Sequence, residues 1–248
     1  MAAGLLKEVS DPYNRRARVF PGFIVTLPIS ILAVVLVTTR PAWWSAVVMV
    51  LGASGASYFG AQLVRSAGRS KEQSLWESWR GAPTTQLLRF QGASNRVAVK
   101  RRHDQLARLF PDLPIPDQST EAADPQLADE HYEAAVRALI ERTRDRTRFD
   151  RVFDELCQYG FRRNLWGCRT VGLRLSALGL VATIVLGTLS KLNVLDASVL
   201  GLAVAAGVDI LLLLTLAFAV RPEWVRESAE AYAERLLGSL ETLLTVGS

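Results

Sequence analysis

Four stretches of this chain, residues 19–39, 41–64, 175–190 and 197–220, carry no charge except Asp209 in the last. A helix needs about 20 apolar residues to cross a hydrocarbon core of roughly 30 Å. Three of the runs reach that length. The third, of 16 residues, is extended by residues 171–173 when Arg174 snorkels to the interface. A mean hydropathy of +0.18 with 21% charged residues is reconciled by segregating grease and charge along the chain. A soluble helical core is the competing reading, but soluble helices of this length and purity are uncommon. A cleaved signal peptide is disfavoured too: the first run is long for one, and a second follows after a single arginine.

The runs predict an all-α polytopic membrane protein with four transmembrane helices in two hairpins. Its plan is a basic N-terminal tail (1–18), hairpin 1 (19–65), a helical insert (66–169), hairpin 2 (170–220) and an amphipathic C-terminal helix (221–248). Lys7, Arg15, Arg16 and Arg18 precede the first run, whereas the short loops after the first and third runs hold one cation each, Arg40 and Lys191. The positive-inside bias therefore places both termini and the insert in the cytoplasm. Cys157 and Cys168 lack metal-type spacing and read as structural thiols.

Within the insert, Thr84 or Thr85 is expected to cap a short helix ending near Gly92. Asn95 caps a second, with Val99, His103, Leu106 and Phe110 on one face. Pro111, Pro114 and Pro116 impose an extended linker. Asp124-Pro125 starts a longer helix that passes Leu139, bends near "RDRTR", resumes at Phe149 and stops near Gly160. In the C-terminal helix Val225, Ala229, Tyr232, Leu236, Leu240 and Leu243 form one face. Five Glu against Arg221, Arg226 and Arg235 favour packing on the insert or another subunit over anionic lipid.

No nucleophile elbow, phosphate loop or His/Cys cluster occurs, so neither an enzyme nor a metal or cofactor is expected. His103 and His131 read as structural. Asp209 is the sharpest single residue. A carboxylate at mid-membrane costs about 2.5–3.5 kcal/mol on insertion scales, so it must face helices or water. Gly201 and Ala205 precede it at four-residue steps and give a narrow face. Asp209 reads either as a pore-lining or gating acid or as a hydrogen-bonded glue between helices. Gly172, Ser176, Gly179, Thr183 and Gly187 form a small-residue stripe on the third span, which more often means packing than permeation. Four spans seldom enclose a water-filled path, so a pore requires a homo-oligomer.

The run Arg89, Arg96, Lys100, Arg101, Arg102 has few nearby acids and is the candidate surface for an anionic ligand, with Trp76 and Trp79 as stacking faces or interfacial anchors. Arg15, Arg16, Arg162 and Arg163 are juxtamembrane cations suited to lipid headgroups. Arg80, Gly81, Pro83, Thr84 and Thr85 form an elbow between span and insert. "YNRRARVFPG" and "YGFRRNLWG" echo each other ahead of the two hairpins.

Three stretches, "DPYNRRARVFPG" from Asp11, "WESWRGAPTTQLLR" from Trp76 and "YGFRRNLWG" from Tyr159, are similar to small bacterial membrane effectors of anti-phage defence, of the Hailong type. The resemblance implies an oligomeric ion channel working with a nucleotidyltransferase encoded nearby. Single-stranded DNA oligomers from that partner would hold the channel closed, and their loss would depolarise the cell.

Overall fold

The computed structural model describes residues 11–37, 57–194 and 196–246, and these contain helices and no strand. In chain order they are α1 (Pro12–Asn14), a π-helix (Arg15–Val19), α2 (Phe20–Val37), α3 (Ser57–Ser78), α4 (Pro83–Gln86), α5 (Arg96–Leu109), α6 (Gln118–Ala123), α7 (Pro125–Arg142), α8 (Asp150–Gly167), α9 (Arg169–Lys191), α10 (Val199–Leu214), a second π-helix (Thr215–Ala219) and α11 (Pro222–Val246). Among the described residues three helical stretches are long and apolar enough to cross a membrane, Pro12–Val35, Arg169–Lys191 and Val199–Ala219, as a membrane-embedded protein requires. The expected second span, 41–64, falls for the most part outside the described residues.

The chain forms two compact units, one from Met1–Glu72 with Gly160–Val225 and the other from Gln73–Tyr159 with Arg226–Ser248. In the first, α2, α9 and α10 pack together. Val35, Ala197, Leu202 and Ala205 fill one end of this bundle, and Val25, Leu165, Cys168, Leu216 and Val220 fill the other. Leu178, Val181, Ile184, Leu200, Leu211 and Phe218 are exposed on its outside, the reverse of a soluble bundle and the pattern a lipid solvent demands. Ser198 caps α10 through the amide of Gly201 at 3.2 Å. Asn193 ends α9 in the left-handed region, with the Val194 amide closing on the Leu189 carbonyl at 3.0 Å.

The second unit is built on Leu88, Leu106, Tyr132, Leu139, Phe149, Leu236, Leu237 and Leu240. The apolar face of α11 thus packs against α5 and α7. Asn95 and Asp124 cap α5 and α7 through the amides of Ala98 and Leu127, 3.0 Å each, as their positions before helical patterns predict.

Two local expectations, the threonine cap and the glycine stop, are corrected, and two further helical segments join them. Neither Thr84 nor Thr85 is a cap: α4 begins at Pro83 with Ala82 at the N-cap and ends at Gln86. Proline fits the first helical position and sets the start ahead of the threonines. Gly160 does not stop α8, which continues to Gly167. Its missing side chain serves an approach instead, since a methyl group there would lie 2.8 Å from Ala17 Cβ. The basic tail is helical from Pro12, because Asp11 accepts the Tyr13 amide at 2.8 Å. Helix α6 stands directly ahead of α7, capped by Asp117 through the amide of Thr120 at 2.8 Å.

Candidate functional site

Asp209 is the eleventh of the 21 residues Val199–Ala219, the midpoint of its span. It is buried. Its carboxylate lies against the backbone of Gly179, where a methyl group would sit 2.7 Å from Oδ2 and 3.0 Å from Oδ1. Methyl groups on Gly172 and Gly187 would likewise meet Leu216 and Leu202, so α9 and α10 run antiparallel with Gly179 level with Asp209. The buried stripe of α9 is Gly172, Ser176, Gly179 and Thr183. Ser176 and Thr183 therefore stand about 4.5 and 6 Å along the helix axis on either side of the carboxylate. Of the other two residues of the expected pore face, Ala205 is buried, and Gly201 approaches Val35.

The hydroxyls of Ser176 and Thr183 are buried without a hydrogen-bond partner. Membrane hydroxyls ordinarily bond back to the preceding turn, as Thr26, Ser30 and Thr188 do here, to Gly22, Thr26 and Ile184 carbonyls at 3.0, 3.1 and 2.9 Å. Pro28, inside α2 and buried, has no amide to donate to the Ile24 carbonyl. The centre of the bundle thus holds a carboxylate and two unpartnered hydroxyls.

The π-helices lie toward one end of the same bundle. A π turn leaves carbonyls out of the regular ladder, and side chains from the α8–α9 junction take them. Asn164, fully buried, donates to the Ala17 carbonyl at 2.6 Å. Arg169 donates to the Leu216 and Ala217 carbonyls at 2.7 and 3.1 Å. The juxtamembrane arginines are held by protein: Arg162 donates to the Trp224 carbonyl at 2.8 Å and stacks on its ring, and Arg163 pairs with Glu72 at 2.6 Å. Arg15 and Arg16 are exposed. Sequence reasoning missed Asn164 and Arg169; their position beside two bulky aromatic residues and a Gly-Cys pair carried no signal, because the acceptors are 147 and 47 residues distant.

In the second unit the elbow is closed from within. Arg80 has φ 66° and Gly81 φ 120°, a left-handed pair in which only Gly81 is relieved of strain. The Gly81 amide closes on the Trp76 carbonyl at 2.7 Å. Gln86 donates to the Trp79 and Gly81 carbonyls at 2.8 and 2.6 Å. Arg89 donates to the Arg80 carbonyl at 2.6 Å and forks onto Asp129 at 2.7 and 2.6 Å. Pro83 and Thr85 are buried beside it.

Glu121, also buried, accepts the amides of Phe90 and Gln91 and the Tyr132 hydroxyl at 2.8–2.9 Å. Burial, then Glu121, pushes the Tyr132 phenol up, so it stays a donor. His103 Nε2 bonds the Leu88 carbonyl at 2.7 Å, and burial lowers its pKa below the ordinary 6.5.

The basic run divides accordingly. Arg89 is committed to Asp129. Arg102 donates to the Leu87 carbonyl at 2.9 Å, and Arg101 reaches Glu241 at 2.5 Å on the surface. Arg96 and Lys100 are exposed, with no ion pair among the described residues. Trp79 is buried, and the half-buried Trp76 has an unpartnered indole N–H. A cleft of about 520 Å³ beside the elbow is lined by Arg80, Arg89, Glu121 and Asp129, whose charges balance.

The fold and its polar centre define a helical membrane protein with a second, helical unit. Comparison of the chain with known protein families, characterised proteins and solved structures finds no match.

Proposed function

We propose that the chain is an oligomeric effector of the bacterial inner membrane, an ion channel gated from the cytosolic side by an anionic nucleotide or single-stranded DNA. The observation that carries this reading is Asp209: an acid at the midpoint of a membrane helix, buried beside two unpartnered hydroxyls, has a cost that packing alone does not return. Exposed Arg96 and Lys100, with Arg101 at the surface, supply the ligand-attracting charge. The three motifs similar to Hailong-type effectors supply the biological setting, anti-phage defence by depolarisation, with a nucleotidyltransferase as partner.

The experiment is ion flux from liposomes holding the purified protein, with and without single-stranded DNA oligomers. The reading expects flux that the oligomers change, and a change that weakens in Arg96→Ser/Lys100→Ser/Arg101→Ser. Flux absent under every ligand condition contradicts it.

A second reading, a non-conducting membrane scaffold that recruits a cytosolic protein, is favoured by one observation: Arg89, Arg101 and Arg102 are engaged within the unit. It expects a stoichiometric protein partner on purification and no conductance.

A further inference from the structure

We propose that the second unit carries two complementary faces, and that the basic face of α5 in one copy of the chain seats the acidic face of α6 and α7 in the next, with Val97 against Leu127. This rests on the oligomeric part of the proposed function but on neither conduction nor a ligand, and its test reads assembly alone.

Charge divides this unit along the chain. Residues 89–108 hold six Lys and Arg against Asp104, and residues 109–136 hold seven Asp and Glu and no Lys or Arg. Among the described residues Arg89 and Asp129 form the one ion pair between the two blocks. The other charges point outward. Arg96, Lys100, Arg101 and Arg108 are exposed on α5, and Asp117, Asp124, Glu130 and Glu133 are exposed on α6 and α7 or at their caps.

Exposed apolar residues pick out the same two places. Among the described residues of this unit two large hydrophobic side chains are exposed, Val97 at 79% and Leu127 at 46%. Each lies in the first turn of its helix. Lys100 and Arg101 follow Val97 by three and four positions, and Asp124 and Glu130 stand three positions to either side of Leu127, so each has charge of one sign beside it. A lone exposed valine or leucine is ordinary. Here the two coincide with faces of opposite sign, giving each an apolar centre and a charged rim.

The occupant is a second copy because both faces belong to one chain and match each other. Copies inserted in a membrane with one orientation are related by rotation about its normal. Every such ring larger than a dimer joins two different patches, as a head-to-tail contact does. Opposite charge sets that pairing and disfavours basic-on-basic or acidic-on-acidic contact.

The test is the mass of the nuclease-treated full chain in a mild detergent, by light scattering. The parent should be an oligomer whose dissociation constant rises about tenfold or more between about 50 and 500 mM salt. Lys100→Glu/Arg108→Glu should dissociate it, as should Glu130→Lys/Glu133→Lys, and the chain with all four reversals should assemble again. In membranes, co-expressed Val97→Cys and Leu127→Cys chains should form a disulfide-linked dimer on oxidation that neither gives alone. Cys157 and Cys168 are buried and give no background. Gly238→Cys, exposed on α11 with nothing within 4 Å, should cross-link with neither. The cross-link also decides the matter where a reversed chain does not fold. A monomeric parent without the 97–127 cross-link would overturn the proposal, as would an oligomer that survives both reversals. Loss of assembly on reversing α5 but not α7 would assign the basic face to an anionic lipid or polymer and overturn it too. An oligomer that responds as stated yet carries no ion flux supports these faces and contradicts conduction alone.

Discussion

At Gly179 the bundle has room for a hydrogen and nothing larger. Gly179→Ala would drive a methyl group to 2.7 Å from Asp209 Oδ2, so the buried carboxylate would have to turn away within the packed bundle. Such overpacking costs about 1–3 kcal/mol, read as a lower unfolding midpoint in detergent. Gly207, with nothing within 4 Å, is the control: Gly207→Ala should be neutral or stabilise by about 0.5–1 kcal/mol. In the second unit, His103 sets a pH dependence. Burial lowers its pKa and outweighs the Leu88 and Pro116 carbonyls and the carboxylates of Glu121 and Asp104. The unfolded chain therefore takes up the proton first as pH falls. The contribution to stability is complete above about 6.5 and is lost as pH drops below it. Unfolding midpoints between pH 7.5 and 5 should fall in the parent chain and fall less in His103→Gln.

The carbonyls of the two π-helices are satisfied by side chains far along the sequence, and those of the elbow by Gln86 and Arg89. Asn164→Ala would orphan the buried Ala17 carbonyl and cost about 1–3 kcal/mol, measured as a lower denaturation midpoint. Arg89→Lys would keep the charge and lose the fork onto Asp129. Amides of residues 81–91 should then exchange faster with solvent, the measurement that separates elbow loosening from global destabilisation. These elements mark the limit of what the chain discloses unaided. Asn95 and Asp124 were legible as caps because a cap is local, three residues from the amide that donates to it. The stripe Gly172–Ser176–Gly179–Thr183 was legible from its helical spacing. The role of Gly160 was not, because a glycine that ends a helix and a glycine that admits Ala17 look alike in sequence. The free appearance of Arg89 and Arg101 had the same cause: Asp129 and Glu241 are 40 and 140 residues away along the chain.

On the scale of the whole molecule, the bundle sets Leu178, Ile184, Leu211 and Phe218 on its outside around an interior that is apolar at both ends and holds Asp209 between them. A bilayer makes that arrangement stable; water does not. Membrane embedding with Asp209 at mid-depth underlies the proposed conduction. Its most direct measurement is the depth of a spin label at Gly207→Cys in phospholipid vesicles, compared with one at Gly238→Cys on the exposed surface of α11. The account predicts that the label at 207 meets oxygen readily and a water-soluble nickel chelate hardly at all, at a depth near the bilayer centre, while the label at 238 shows the opposite. Equal access of the nickel chelate to both positions would contradict it.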